Sequence, residues 1–109
     1  MRLRAAVRNA AALRFAAAAR YNSSVPELSR FLGIVIRMHF RDHLPPHFHA
    51  EYGEFEITVG IDRGIIQGRF PRRALTAVLE WFLVHRAELE ENWERASQGL
   101  PLHPVEPLE

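Results

Sequence analysis

The chain lacks cysteine, lysine and any long apolar run. Without cysteine neither a disulfide nor a thiolate metal site can form, so a metal site would need histidine or carboxylate ligands. The absence of thiols fits a reducing cytoplasm, which is where we expect the protein to act. No apolar stretch approaches the roughly 20 residues that cross a bilayer, so we expect no membrane span.

The length of 109 residues suits one compact domain with a modest core and excludes a large multidomain catalyst. The net charge of +1 conceals an asymmetry, because residues 1–24 hold five arginines and no acidic residue. From Val25 onward nine arginines face thirteen acidic residues, which gives a net charge of −4. We expect no binding to DNA, because the domain is mildly acidic and has no basic recognition helix.

We divide the chain at Val25. Residues 1–24 are rich in alanine and arginine and have few apolar positions from which to build a core. We interpret them as a dispensable, disordered leader or a misplaced start, and a mitochondrial targeting segment is the alternative. Residues 25–109 form the single domain, and its last segment, 100–109, is a proline-rich tail.

Apolar and polar residues alternate from Gly33 to Phe70, which is typical of strands half buried against a core. We predict four such strands in an antiparallel meander. Gly53-Glu54 is predicted to be a two-residue type II′ turn between the second and third. The inward-facing residues, strand by strand, are Ile34, Ile36, Met38 and Phe40; Phe48, Ala50 and Tyr52; Phe55, Ile57, Val59 and Ile61; and Ile66, Gly68 and Phe70.

A helical spacing of apolar residues follows from Pro71 to about Gln98, where Gly99 is the stop signal. The fold class is therefore α+β, a four-stranded antiparallel β-meander with one face covered by a long C-terminal α-helix. Residues 77–84 are apolar nearly all round, so we expect a partner or the tail to cover their outer side. The predicted core positions of the helix are Leu75, Val78, Leu79, Phe82, Leu89 and Trp93.

Four of the six histidines fall within the eleven residues from His39 to His49. Histidine titrates near neutral pH and is a common metal ligand, so this concentration indicates a site of chemistry. In the register that we predict, His39 lies directly opposite His49, and Arg37 lies opposite Glu51. The predicted row across the uncovered face is His39, His49, Thr58 and Arg69. The alternative is a solvated sheet face without a role.

One chemistry for this row is metal-independent ribonuclease catalysis. His39 and His49 would act as the acid and the base, and Arg37, Arg41 or Arg69 would hold the phosphate. Further binding groups are Arg41, His43, His47 and Glu51 and, at the start of the helix, Arg72 and Arg73. The two helix arginines lie at the positive end of the macrodipole, where an anion or a neighbouring glutamate would stabilise them.

A second chemistry is a zinc or iron site on the same strands. Its candidate ligands are His39, His47, His49, Glu51 and Glu56. A His-x-His pair on one strand supplies two ligands, but the predicted register does not assure a third. We therefore assign no metal ligand and no cofactor from the sequence.

Three segments carry a resemblance to a known family, namely 26–31, 42–53 and 71–93, and the Pro-Pro-His-x-His-x-Glu-Tyr block within the second is the most specific. From Val25 to Glu109 the chain resembles the bacterial domain of unknown function family 4160. That family is uncharacterised, so the resemblance implies no catalytic residue. Its members are often encoded beside domain of unknown function family 2442, in an arrangement similar to toxin and antitoxin pairs, which implies a protein partner.

Two functions follow. In the one we favour, the protein is a component of a toxin-antitoxin-like pair and binds its protein partner through residues 77–84 and the tail, although the tail has the alternative of packing on its own domain. In the other, it is a histidine-dependent ribonuclease or a metal-binding hydrolase, and RNA is a candidate target. One open sheet and one helix offer little concavity, which counts against an enzyme.

Overall fold

The computed structural model describes residues 25–109, so the predicted leader lies outside the described residues. Five strands precede two helices: β1 (Glu27–Phe31), β2 (Ile34–Arg37), β3 (His47–Tyr52), β4 (Phe55–Gly60), β5 (Ile66–Arg69), α1 (Arg72–Val84) and α2 (Arg86–Ser97). The strands form one antiparallel sheet in the order β1-β2-β3-β4-β5. The α+β class and the antiparallel meander are confirmed. The predicted numbers of strands and helices are wrong.

The core lies between one face of the sheet and the helices. Trp81 of α1 is fully buried, and its ring lies 5.6 Å from that of Phe31 and 5.7 Å from that of Phe48. Three residues predicted to be buried, Phe40, Tyr52 and Phe55, are instead 36–38% exposed. Phe40 lies beyond the end of β2, and the other two flank the turn between β3 and β4.

β1 is absent from the predicted strands. Its residues Leu28 and Ser29 are both buried, which breaks the alternation by which a strand is recognised. The register also shifts between Glu27 and Ser29. The turn to β2 consists of Leu32 and Gly33, with φ values of 53° and 80°. Positive φ at both positions is the geometry of a type I′ turn, which leucine rarely adopts.

β2 ends at Arg37, whereas the predicted strand continues to about Arg41. Arg41 has a φ of 50°, and its N–H donates a hydrogen bond to the carbonyl of Ala96, 3.0 Å away at the end of α2. The peptide bond between Leu44 and Pro45 is cis. Residues 38–46 therefore form a loop that leaves the sheet. This loop carries His39, Arg41, Asp42 and His43, which are considered below.

The single predicted helix is two helices that meet at His85, where φ is −114° and ψ is 22°. The His85 N–H donates to the carbonyl of Trp81 and closes α1, and the His85 carbonyl accepts the N–H of Leu89 and opens α2. No glycine or proline marks this break, so the sequence shows one continuous helical pattern. Within residues 25–109 neither helix has the length and apolarity that crossing a membrane requires.

The tail over residues 100–109 packs on its own domain. Val105 is buried, and its N–H donates a 2.8 Å hydrogen bond to the carbonyl of Leu28 in β1. Asn92 of α2 is 1% exposed and exchanges two hydrogen bonds with the backbone of His103. The Trp81 indole N–H donates to another tail carbonyl, that of Glu106. The tail is therefore attached to its own domain at these positions.

Candidate functional site

The polar face of the sheet holds the strand side chains predicted for it, but two of its strand pairings have a shifted register. β3 and β4 pair as predicted, with His49 opposite Thr58. β2 is displaced by two residues, so Arg37 lies opposite His49 instead of Glu51. Because the side-chain period of a strand is two, a slip of two residues leaves each side chain on its predicted face.

Two of the arginines predicted to hold a phosphate, Arg37 and Arg69, lie elsewhere than the predicted register placed them. The Nε atom of Arg37 lies 3.3 Å from Oε1 of Glu51, and Nη1 donates to the carbonyl of Val25. β5 is also displaced by two residues, so Arg69 lies opposite Glu56 and not beside Thr58. Neither arginine has the arrangement that the ribonuclease hypothesis requires.

The remaining arginines of the prediction lie outside the cluster of histidines. Arg41 binds the end of α2 through its backbone, and its guanidinium lies beside Gly99. Arg72 and Arg73 are exposed in the first turn of α1, which contains no acidic residue and has no side-chain cap. These two line a different cleft from the one that the histidines line.

Asp42 is the centre of the site, and it has no role in the sequence-based prediction. Its Oδ2 atom lies 3.0 Å from Nε2 of His47 and 3.6 Å from Nε2 of His49. Its Oδ1 atom lies 3.6 Å from Nε2 of His43. We call these four residues and His39 the Asp42 cluster. The only sequence signal for Asp42 is its place between two histidines of the same run.

His39 reaches the cluster from the loop and not from a strand. Its ring stacks on that of His49, with 4.1 Å between the centroids and 22° between the planes. The two residues are therefore neighbours as predicted, although they are not a cross-strand pair. Burial, and then the neighbouring His49, lower the pKa of His39 below its ordinary value. A neutral ring with a free lone pair is favoured as a result.

The other three histidines share an orientation. Each has Nδ1 next to a hydrogen-bond acceptor, and with the proton on Nδ1 the lone pair of the neutral ring lies on Nε2, the nitrogen that approaches Asp42. The contacts of Nδ1 are 2.8 Å from His47 to the Pro45 carbonyl, 3.2 Å from His43 to the Leu44 carbonyl and 3.1 Å from His49 to Oε2 of Glu56.

The Nε2 atom of His49 is buried and, among residues 25–109, has no hydrogen-bond partner. Its distance of 3.6 Å from Asp42 is too long for a hydrogen bond. A buried polar atom without a partner costs about 1–3 kcal/mol. This atom, rather than a solvated face, is the feature of the site that requires an explanation.

Asp42 supplies the negative charge of the cluster. Burial raises the pKa of Asp42. The hydrogen bond from the His43 N–H and the charges of His47 and His43 lower that pKa by a larger amount, so it is below the ordinary value. Ligand atoms lie within 4.8 Å of one another in two groups, His39, Asp42 and His49, and Asp42, His43 and His47. Two ligands about 2.1 Å from a tetrahedral ion are about 3.4 Å apart, which agrees with the distances around Asp42.

The cluster opens onto a groove of about 530 Å³. Pro45 and Pro46 lie along one wall, and Asp62, Arg63 and Ile65, from the turn after β4, lie along the other. The expectation that the fold offers little concavity is therefore wrong, because these two connections rise beside the sheet. The polar strand residues in the groove are His47, His49, Thr58 and Gln67.

Comparison with known proteins identifies the chain at the level of its family. No curated protein and no solved structure matches it. The family described as a domain of unknown function, DUF4160, matches residues 33–94. This span is more than half of the chain and contains the whole Asp42 cluster. The resemblance noted from the Pro-Pro-His-x-His-x-Glu-Tyr block is thus confirmed, and the chain belongs to the DUF4160 family.

Proposed function

We propose that this protein is a metal-dependent hydrolase whose ion is bound by His39, Asp42 and His49. The observation that carries the proposal is the buried Nε2 atom of His49, which has a lone pair and no hydrogen-bond partner among the described residues. A bound cation would take that lone pair and remove the cost of leaving it unsatisfied.

The ligand set suits Zn²⁺. Two imidazoles and a carboxylate are borderline ligands typical of zinc, and three protein ligands leave the open position that catalytic zinc sites keep for water. The contact from Glu56 to Nδ1 of His49 is the carboxylate–histidine–metal arrangement that orients a ligand ring. The low pKa of His39 keeps its lone pair available near neutral pH.

Hydrolysis is the chemistry that such an ion supports. A bound zinc ion would lower the pKa of its coordinated water to about 7, so hydroxide would be present at neutral pH. Its oxygen would form a bond to the phosphorus or carbonyl carbon of an ester, the bond to the leaving oxygen would break, and the leaving oxygen would take up a proton. The groove beside the cluster would hold the substrate, and Arg63 at its wall favours an anionic one.

Metal-free ribonuclease catalysis has less support. The rings of His39 and His49 are in contact, with 4.1 Å between centroids, so a phosphate has no space between them. Arg37 is paired with Glu51 and is not directed at a substrate. The same two histidines suit one metal ion better than an acid and a base on opposite sides of a scissile bond.

Zinc binding by the EDTA-treated protein tests the proposal. We expect calorimetric titration to give saturable zinc binding in the unaltered chain and one equivalent less of bound zinc in His49→Ala. His103→Ala is the matched control, because His103 is an exposed histidine outside the Asp42 cluster. Zinc-dependent hydrolysis of bis(4-nitrophenyl) phosphate should follow the same pattern. An unaltered chain that binds no zinc would overturn the proposal.

A component of a toxin-antitoxin-like pair is the second candidate. It is supported by Leu83 and Val84, neighbours at the end of α1 that are each 71% exposed. The partner implied by the resemblance is a protein of domain of unknown function family 2442. Growth after induced expression tests it, with His39→Ala/His49→Ala compared with the parent. Arrest by the parent alone would connect toxicity with the cluster and make RNA the next target to examine.

A further inference from the structure

We infer that the Asp42 cluster binds a second divalent ion through His43 and His47, with the Asp42 carboxylate bridging the two ions. The inference rests on the proposed function, because it assumes that the first ion is bound. It changes the class of the centre from a one-metal site to a two-metal site.

The ligand groups share one residue. His39, Asp42 and His49 form the first group, and the second combines the same aspartate with the two remaining histidines. Oδ2 of the carboxylate lies beside a histidine of each group, 3.0 Å from Nε2 of His47 and 3.6 Å from Nε2 of His49, and Oδ1 lies 3.6 Å from Nε2 of His43. A carboxylate with histidines of both groups around it is suited to bridge two ions.

The rings divide in the same way as the ligand groups. The four histidines form two stacked pairs, with centroids 4.1 Å apart for His39 and His49 and 5.0 Å apart for His43 and His47. Each stacked pair contains the two histidines of one ligand group. Each ion would therefore have two imidazoles and one carboxylate oxygen, the three protein ligands of a catalytic zinc ion.

The second pair is held by the backbone of its own loop. Nδ1 of His43 lies 3.2 Å from the carbonyl of Leu44, and Nδ1 of His47 lies 2.8 Å from that of Pro45. Metal-binding histidines are oriented by backbone carbonyls in this manner. The Leu44 and Pro45 carbonyls, which lie in the loop over residues 38–46, thus direct both Nε2 atoms toward the carboxylate.

His47 supplies an independent indication, because acceptors face both of its ring nitrogens. Nδ1 faces the Pro45 carbonyl, and Nε2 lies 3.0 Å from Asp42 Oδ2. A neutral ring has a single N–H and can donate to only one of these acceptors. With the proton on Nδ1, a metal ion between Nε2 and the carboxylate would satisfy both groups, in a side chain that is 8% exposed.

Two ions define a substrate class. Paired ions about 3.5–4 Å apart stabilise both the attacking and the leaving oxygen in phosphoryl hydrolysis. Asp42 and Glu56 are the carboxylates nearest the rings, so two divalent ions would leave the centre positively charged. The groove is lined by His43 and His47 of the second ligand group and by His49 of the first, so it lies beside both groups. Phosphate esters are the substrates that this charge and arrangement favour.

Counting bound zinc by native mass spectrometry tests the inference on the full chain. We expect two ions in the unaltered protein, one in His43→Ala and none in Asp42→Ala. His43 is the preferred second-site change, because its side chain is 79% exposed and its loss should spare the fold. His103→Ala is the control and should keep two ions. X-ray absorption of the two-zinc form should show a metal–metal distance of about 3.5–4 Å.

The outcomes separate the two proposals. One ion in the unaltered chain that is lost in His49→Ala but kept in His43→Ala would overturn the second site and leave the proposed function standing. Two ions that both persist in His43→Ala would also overturn it, because the second ion would then lie elsewhere. No bound zinc in the unaltered chain would overturn both. A folded state for each variant is confirmed by circular dichroism.

Discussion

The carboxylate of Glu56 lies 3.1 Å from Nδ1 of His49 and thereby directs the other nitrogen of the ring to Asp42. The contact joins β4 to β3 diagonally across the sheet, two residues from the directly opposed pair of His49 and Thr58. It is also the contact through which a residue that binds no metal would influence the proposed centre.

We predict that Glu56→Ala weakens zinc binding by about 10–100-fold, because the ring of His49 loses the group that orients it. Glu56→Gln should lose less, since its amide oxygen still accepts the Nδ1 proton. Calorimetric titration measures both affinities. Glu54→Ala, a change of the same type at an exposed turn residue, should have the affinity of the parent. Equal affinities for Glu56→Ala and Glu54→Ala would contradict a role for this contact.

Asn92 is expected to stabilise the domain by attaching the tail. Its buried amide donates to the carbonyl of His103 at 2.9 Å and accepts the N–H of the same residue at 2.8 Å. Asn92→Ala should lower the free energy of unfolding by about 1–3 kcal/mol, because both hydrogen bonds are lost. Urea denaturation measures the change. Glu90→Ala, at an exposed position of the same helix, should stay within about 0.5 kcal/mol of the parent.

The metal-free protein should lose stability on acidification. The pKa of His39 is lowered from 6.5, chiefly by burial, so below 6.5 the unfolded chain takes up this proton before the folded one does. For Asp42 burial raises the pKa, and the His43 N–H and the charge of His47 lower it to a net value below 3.8. Its stabilisation is therefore complete above 3.8 and is lost as the pH falls through the folded pKa.

The two residues act in the same direction but in different pH ranges. Urea midpoints measured in EDTA should fall from about pH 7 to about pH 5 because of His39, and fall again below about pH 4 because of Asp42. His39→Asn should flatten the first decline and leave the second. A midpoint that rises on acidification would contradict this prediction.

Leu32 occupies a turn position that asparagine suits better. Its φ of 53° costs a residue with a branched apolar side chain about 1–2 kcal/mol, and asparagine less. Because the side chain is 65% exposed, little packing is lost on replacement. Leu32→Asn should raise the free energy of unfolding by up to about 1 kcal/mol. Leu83→Asn, on an exposed helical position, should instead lower it by about 0.5 kcal/mol. Thermal denaturation measures whether each variant is more or less stable than the parent.

The sequence predicts the faces of the strands better than their registers. The turn at Gly53 is short and has the expected positive φ, so it fixes the pairing of β3 with β4 as predicted. β2 and β5 are connected to that hairpin by longer segments, over residues 38–46 and 61–65. The length of such a connection does not determine its path, and both registers differ by two residues from the prediction. Because side chains alternate between the two faces of a strand, a shift of two residues still leaves the polar side chains on the predicted face.

The site could be predicted in part for the same reason. The strand pattern predicts that His39 and His49 lie close to each other, and they do, although His39 lies on the loop. The position of Asp42 depends on the backbone of that loop, including the φ of 50° at Arg41, and no period in the sequence reports it. The end of α1 at His85 is hidden in a comparable way, because the helical spacing of apolar residues continues through it.

The hydrogen bond from Val105 to Leu28 lies on the outer side of β1, the first strand of the sheet. Unpaired edge strands are templates on which other chains add and aggregate. The tail covers part of that edge, and the opposite edge, β5, is four residues long with a φ of 108° at Gly68, a poor template. Removing residues 100–109 would therefore expose a pairing edge, and self-association of the shortened chain, rather than a change at the histidines, would be its first consequence.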